Sequence, residues 1–163
     1  MKDRNKMSAG RKIWIVILYV LFIATLVFIW GNSMLPQTTS AKESSAVHEI
    51  LQPVFDQVFG TGTITEDITR KIAHGTEFLL LGLEMTLIFA AFRGYTFKNW
   101  IFILSVGLFV ALCDETIQYF TKRGSAVMDV WIDAGGVLAI SLLAGFIGLI
   151  VHAARSKKRA KAQ

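Results

Sequence analysis

The chain has 163 residues and a formal net charge of +5; 53% of its residues are hydrophobic and only 18% are charged. A soluble domain of this size needs more polar surface, so the composition argues against a soluble class and for a membrane protein. The single cysteine, Cys113, excludes an intrachain disulfide and a thiolate-type metal site.

A membrane-spanning helix takes about 20 mostly apolar residues, each rising ~1.5 Å. The first run, Ile13 to Trp30, contains no charge and follows a basic start. Signal-peptide cores are ~7–15 residues, this run is longer, and no A-x-A site follows it, so a retained helix is expected. The long loop from Gly31 to Lys71 comes next. In it Val47, Ile50, Leu51, Val54, Phe55, Val58 and Phe59 fall on one stripe of a helix expected over about 41–59. Ser40 and Glu43 have capping-box spacing before it, and Gly60 and Gly62 follow. Pro53 removes one backbone donor inside it. An amphipathic helix on the outer leaflet or over the bundle mouth is expected.

Three further runs can span: 72–92, 100–120 and 130–151. Thr63 and Glu66 repeat the capping spacing ahead of the second span. Apolar neighbours predict that Cys113 is a packed thiol in the third. The glycines of the fourth, Gly135, Gly136, Gly145 and Gly148, suit close helix packing. The fold class expected is an all-α membrane protein, a four-transmembrane-helix bundle with one amphipathic helix between helices 1 and 2. It forms a single domain over 1–163.

Orientation follows from charge. With the N-terminus inside, the inner segments hold 12 of the 17 basic residues but only Asp3 of the 12 acidic ones. This Lys/Arg bias places both termini in the cytoplasm. The tail RSKKRAKAQ is then a topology signal that meets anionic lipid, and no nucleic-acid partner is expected.

Polar residues break the last three spans at one membrane level. His74 and Glu77 open the second and share a helix face that continues to Glu84. Asp114, Glu115 and Gln118 close the third. Lys122 and Arg123 follow in the turn, and Asp129 and Asp133 open the fourth. Each charge costs ~2.5–3.5 kcal/mol at a helix centre in lipid, so these groups must face one another or water. Crowded carboxylates cannot all ionise cheaply. The expected ligand-binding set is Lys71, His74, Glu77, Asp114, Glu115, Gln118, Arg123, Asp129 and Asp133, with His74, Glu77 and Glu115 as acid–base candidates. Histidine and carboxylates on facing helices also suit Zn²⁺, Mg²⁺ or Ca²⁺. With one histidine and no H-E-x-x-H, no metal or other cofactor is assigned. A polar network that merely joins the helices gives the same pattern.

At these residues the chain resembles the VanZ-like family of bacterial membrane proteins. Trp30-Gly31-Asn32-Ser33 with Pro36 is similar to the family's end of helix 1. Arg70-Lys71-x-x-His74-x-x-Glu77-Phe78 resembles its R-K-x-x-H-x-x-E-Y element, with phenylalanine in place of tyrosine. Asp114-Glu115-x-x-Gln118, Arg123 and Asp129 resemble its D-E-x-x-Q…R…D element, and Asp133 and Gly136 its D/N-x-x-G. Thr121-Lys122 stands where the family has Pro-Gly. The resemblance implies a multi-pass protein of a bacterial cell membrane, in a Gram-positive organism, and a link to resistance against the glycopeptide teicoplanin. It implies no particular reaction. Three functions remain open: binding a membrane lipid or lipid-linked wall precursor, an enzyme acting on such a substrate, and an ion-coupled carrier using Glu84. A protein partner is also compatible.

Overall fold

The computed structural model describes residues 8–61, 65–92, 96–123 and 126–160; for 37–44, 59, 149 and 152–160 it describes the backbone alone. The described residues form five helices and no strand: α1 (Ala9–Met34), α2 (Gln37–Phe59), α3 (Glu66–Phe92), α4 (Phe97–Phe120) and α5 (Val127–Ala160). α1, α3, α4 and the Val127–Gly148 part of α5 are long and apolar enough to cross a membrane. The protein is therefore an all-α four-helix membrane bundle with an extra helix between its first two spans.

Each helix begins before its apolar run because the cap lies outside that run. Ser8 accepts from the Arg11 N–H at 3.4 Å and Thr96 from the Asn99 N–H at 3.3 Å. At the start of α3 the cap is Thr65, whose hydroxyl accepts from the Ile68 N–H at 3.3 Å. The expected cap Thr63, like Gly62, lies outside the described residues. α2 starts directly after Pro36, so Ser40 sits inside its first turns rather than at its cap. The side chains of Ser40 and Glu43 lie outside the described residues. α2 continues through Pro53 and ends at Gly60, whose N–H donates to the Asp56 carbonyl at 3.1 Å. The backbone of α5 carries the basic tail as far as Ala160; residues 161–163 and the tail's side chains are outside the described residues.

Membrane helices bury one stripe and leave the rest apolar for lipid. In α1 that stripe is Ile15, Leu18, Thr25, Ile29 and Ser33, while Val16, Val20, Val27 and Phe28 are exposed. In α4 it is Ile103, Gly107, Val110, Ala111, Asp114 and Gln118. In α5 it is Val130, Asp133, Val137 and Ser141. The apolar stripes of α4 and α5 thus run directly into ionisable residues, which puts those residues on the bundle axis. Helix α3 is the hub, packed against all four others.

Two close approaches set the spacing of α3 and α5. A Cβ on Gly136 would stand 2.5 Å from the Gly75 carbonyl oxygen, and one on Gly82 2.9 Å from the Val137 Cα. Small residues here let the backbones touch. Gly135 and Gly148, read with Gly136 as packing positions, have nothing within 4 Å of such a Cβ. Helix repeat explains the difference: adjacent residues point about 100° apart, so only one of the two faces α3. Cys113 is half-buried and lines an apolar groove with Trp30, Phe109 and Leu112.

The α2 stripe divides in two. Leu51 and Phe55 are half-buried, whereas Val47, Ile50, Val54 and Val58 are exposed. Two polar contacts orient the helix on α3: Ser45 Oγ donates to Glu66 Oε1 at 3.1 Å, and His48 Nδ1 lies 2.9 Å from Thr69 Oγ1. They bring the edge of the stripe to α3, so the rest of the apolar face points away from the bundle.

Candidate functional site

The ends of α1 and α4 and the starts of α3 and α5 meet at one end of the bundle, beside α2. Their polar residues interlock there. Asp114 is fully buried and accepts from Ser33 Oγ at 2.5 Å and from Gln118 Nε2 at 2.7 Å. Its Oδ2 lies 3.8 Å from His74 Nδ1. Asp133 is also fully buried, and neither of its carboxylate oxygens has a hydrogen-bond partner among the described residues. His74, Asp114 and Asp133, from three different helices, each present a ligand atom within 4.8 Å of the others.

Around this centre lie the remaining carboxylates. Glu77 Oε1 accepts from Asn32 Nδ2 at 3.4 Å, and its Oε2 is buried with no hydrogen bond among the described residues. Glu115 Oε2 accepts from the Ala126 N–H at 3.0 Å, just ahead of α5. A carboxylate there caps the helix and meets its positive end. One oxygen of this acid–base candidate thus has a structural task. Asp129 faces Arg70, with Nη2 3.6 Å from Oδ2. Arg123 is 4% exposed and donates from Nη1 to the Asn32 carbonyl, tying the α4–α5 turn to the end of α1. Thr121 Oγ1 reinforces the tie by donating to the Ser33 carbonyl at 3.1 Å.

Eight of the nine residues expected to bind ligand belong to this cluster. Lys71 stands apart. Its ammonium pairs with Asp67 at 2.7 Å on the outer face of α3, one turn away along the same helix. The inward cation is its neighbour Arg70, four residues before His74 and seven before Glu77, and so on their face. Asn32 and Ser33, outside the expected set, also belong to the site. Their signal was a polar pair closing an apolar run. Glu84 lies deeper, 5% exposed, and accepts from Thr25 Oγ1 at 2.9 Å.

Five carboxylates (Glu77, Asp114, Glu115, Asp129, Asp133) face two guanidinium groups (Arg70, Arg123) and one histidine. The arrangement can neutralise an inserted cation or amino group, and its rim can pair an anion. A cavity of about 420 Å³ at the opposite end is lined by Tyr19, Phe22, Met85, Phe89 and Phe102, and does not reach the cluster.

Fold and site together define a polytopic membrane protein with a buried ionisable cluster at one end of its bundle. The chain belongs to the VanZ/LLP1 family, whose family model matches residues 14–148. The matched segment holds every residue of the cluster. No curated protein and no solved structure matches the chain.

Proposed function

We propose that the chain lies in a bacterial cell membrane with both termini in the cytoplasm, and that its cluster end faces outward and engages a lipid-linked envelope component such as a wall precursor. One observation carries the reading. Arg70 and Lys71 are consecutive at the start of α3, Arg70 turned into the cluster and Lys71 on the outer face beside it, with 22% and 36% of their side chains exposed. Adjacent cations at a membrane surface suit a phosphate, and the carboxylates beneath suit amino groups or sugar hydroxyls. The outward apolar face of α2 supports a site that works against acyl chains. In a Gram-positive cell, shielding such a precursor would reduce its exposure to a glycopeptide such as teicoplanin.

The test is to purify wild type and Lys71→Glu from bacterial membranes in mild detergent and identify co-purifying lipids by mass spectrometry. Lys71 lies outside the interlocked cluster, so the substitution leaves the fold intact. A prenyl-phosphate species enriched with wild type and roughly tenfold poorer with the variant is expected. Bulk phospholipid alone in both samples would overturn the reading in favour of a protein partner.

A second reading makes the same site catalytic. Its supporting observation is that His74 Nδ1 and Glu77 Oε2 lie on one face of α3, buried and without hydrogen-bond partners among the described residues. In the same preparation, turnover of the bound lipid that Glu77→Gln abolishes without loss of binding selects this reading; no turnover removes it.

A further inference from the structure

We propose that His74, Asp114 and Asp133 form a binding site for one divalent transition-metal ion inside the bundle. The strongest sign is Asp133. A fully buried carboxylate with both oxygens unpartnered among the described residues costs several kcal/mol unless a cation or a proton meets it. This one is aimed at two further ligand-type atoms. His74 Nδ1 also lacks a hydrogen bond among the described residues.

Geometry fits an ion. Bonds of about 2.0–2.2 Å hold two ligand atoms no more than about 4.4 Å apart. His74 Nδ1 and Asp114 Oδ2, at 3.8 Å, already meet that limit; the trio lies within 4.8 Å, so an entering ion has to draw the three atoms together by only a few tenths of an ångström. Contact between Gly75 and Gly136 holds α3 and α5 together one residue from His74 and three from Asp133. Asp114 is aimed by Ser33 and Gln118, the kind of hydrogen-bonded support that metal-ligating carboxylates have. The local charge agrees, since five carboxylates exceed two guanidinium groups, and a divalent ion removes most of the excess.

The donor set selects the ion class. One imidazole nitrogen with two carboxylates favours Zn²⁺, Mn²⁺ or Fe²⁺ over the all-oxygen preference of Mg²⁺ and Ca²⁺. Three protein ligands leave at least one coordination position for water or a ligand oxygen. The site does not depend on the envelope-lipid reading, because an ion that only joins three helices would occupy it equally.

The experiment uses the full chain, purified in detergent, stripped with a chelator and given Zn²⁺ or Mn²⁺ alone. Metal content by mass spectrometry and thermal unfolding are the readouts, with Co²⁺ absorption as a check on ligand type. One ion per chain and a metal-dependent rise in melting temperature are expected. Asp133→Asn and His74→Gln should weaken binding at least ~100-fold, and Ser33→Ala about tenfold. His48→Gln, outside the cluster, should leave it unchanged. Wild type that takes up no ion overturns the proposal whatever the variants do. So does an ion held equally by Asp133→Asn, or one lost in His48→Gln. If the lipid enrichment fails while the metal titration succeeds, only the envelope reading falls.

Discussion

Lys122 holds a φ of 58°, the one non-glycine residue in the left-handed region among those described. Around it α4 closes with paired bonds: the Arg123 N–H donates to the Gln118 carbonyl at 3.0 Å and the Lys122 N–H to the Tyr119 carbonyl at 3.3 Å. This is a Schellman ending, which places one residue in that conformation and usually makes it glycine. The resemblance already noted a glycine expected at this position. Its reason is now physical, since a side chain there costs roughly 1–2 kcal/mol. Lys122→Gly should therefore raise stability by about 1 kcal/mol, read as a higher melting temperature in detergent. A lower melting temperature would mean that the lysine side chain holds the turn. The choice between Arg70 and Lys71 was half legible. Asp67, four residues before Lys71, marks a pair along the helix. That Arg70 meets Asp129 depends on how α3 and α5 align, which spacing along one chain does not contain.

At the scale of elements, apolar length gave the four spans, and polar interruptions at equal depth gave the cluster. Faces were less legible. Gly135 and Gly136 are equivalent as sequence, and only the position of α3 separates them. Gly136→Ala drives a methyl into the Gly75 carbonyl and should cost ~1–3 kcal/mol, seen as a melting temperature several degrees lower. Gly135→Ala should be neutral or slightly stabilising, because alanine is the better helix former. Equal losses in both variants would show that the contact does not set the helix spacing. The amphipathic α2 was legible in its stripe, but the choice between the leaflet and the bundle mouth was not, since Ser45 and His48, the polar residues beside the stripe, fix the rotation.

The whole molecule has two unlike ends. One carries the cluster and α2. At the other, Arg11 of α1 donates through Nε at 2.7 Å, and through Nη2, to the Ala91 carbonyl near the end of α3. A guanidinium suits the negative end of a helix. In the sequence most basic residues flank the helix ends that α1, α3, α4 and α5 bring to this second end, and the proposed orientation rests on that bias. In a Cys113→Ala background, a membrane-impermeant maleimide added to intact cells should label Glu49→Cys and spare Lys98→Cys, both at exposed positions. The reverse pattern would turn the protein over and move the cluster to the cytoplasmic side.

The interlocking of the cluster also bears on how the protein is made. His74, Glu77 and Glu84 enter the bilayer with α3, while Asp114 and Asp133 lie on helices synthesised later. Until α4 brings Asp114 to His74, α3 holds its ionisable groups in the membrane with only α1 to satisfy them, through Thr25 and Asn32, and Asp133 and Asp129 come last, with α5. Completion of the site is then the last event in biogenesis, so that a chain interrupted before Val127 lacks both the site and the α5 partner of its central helix.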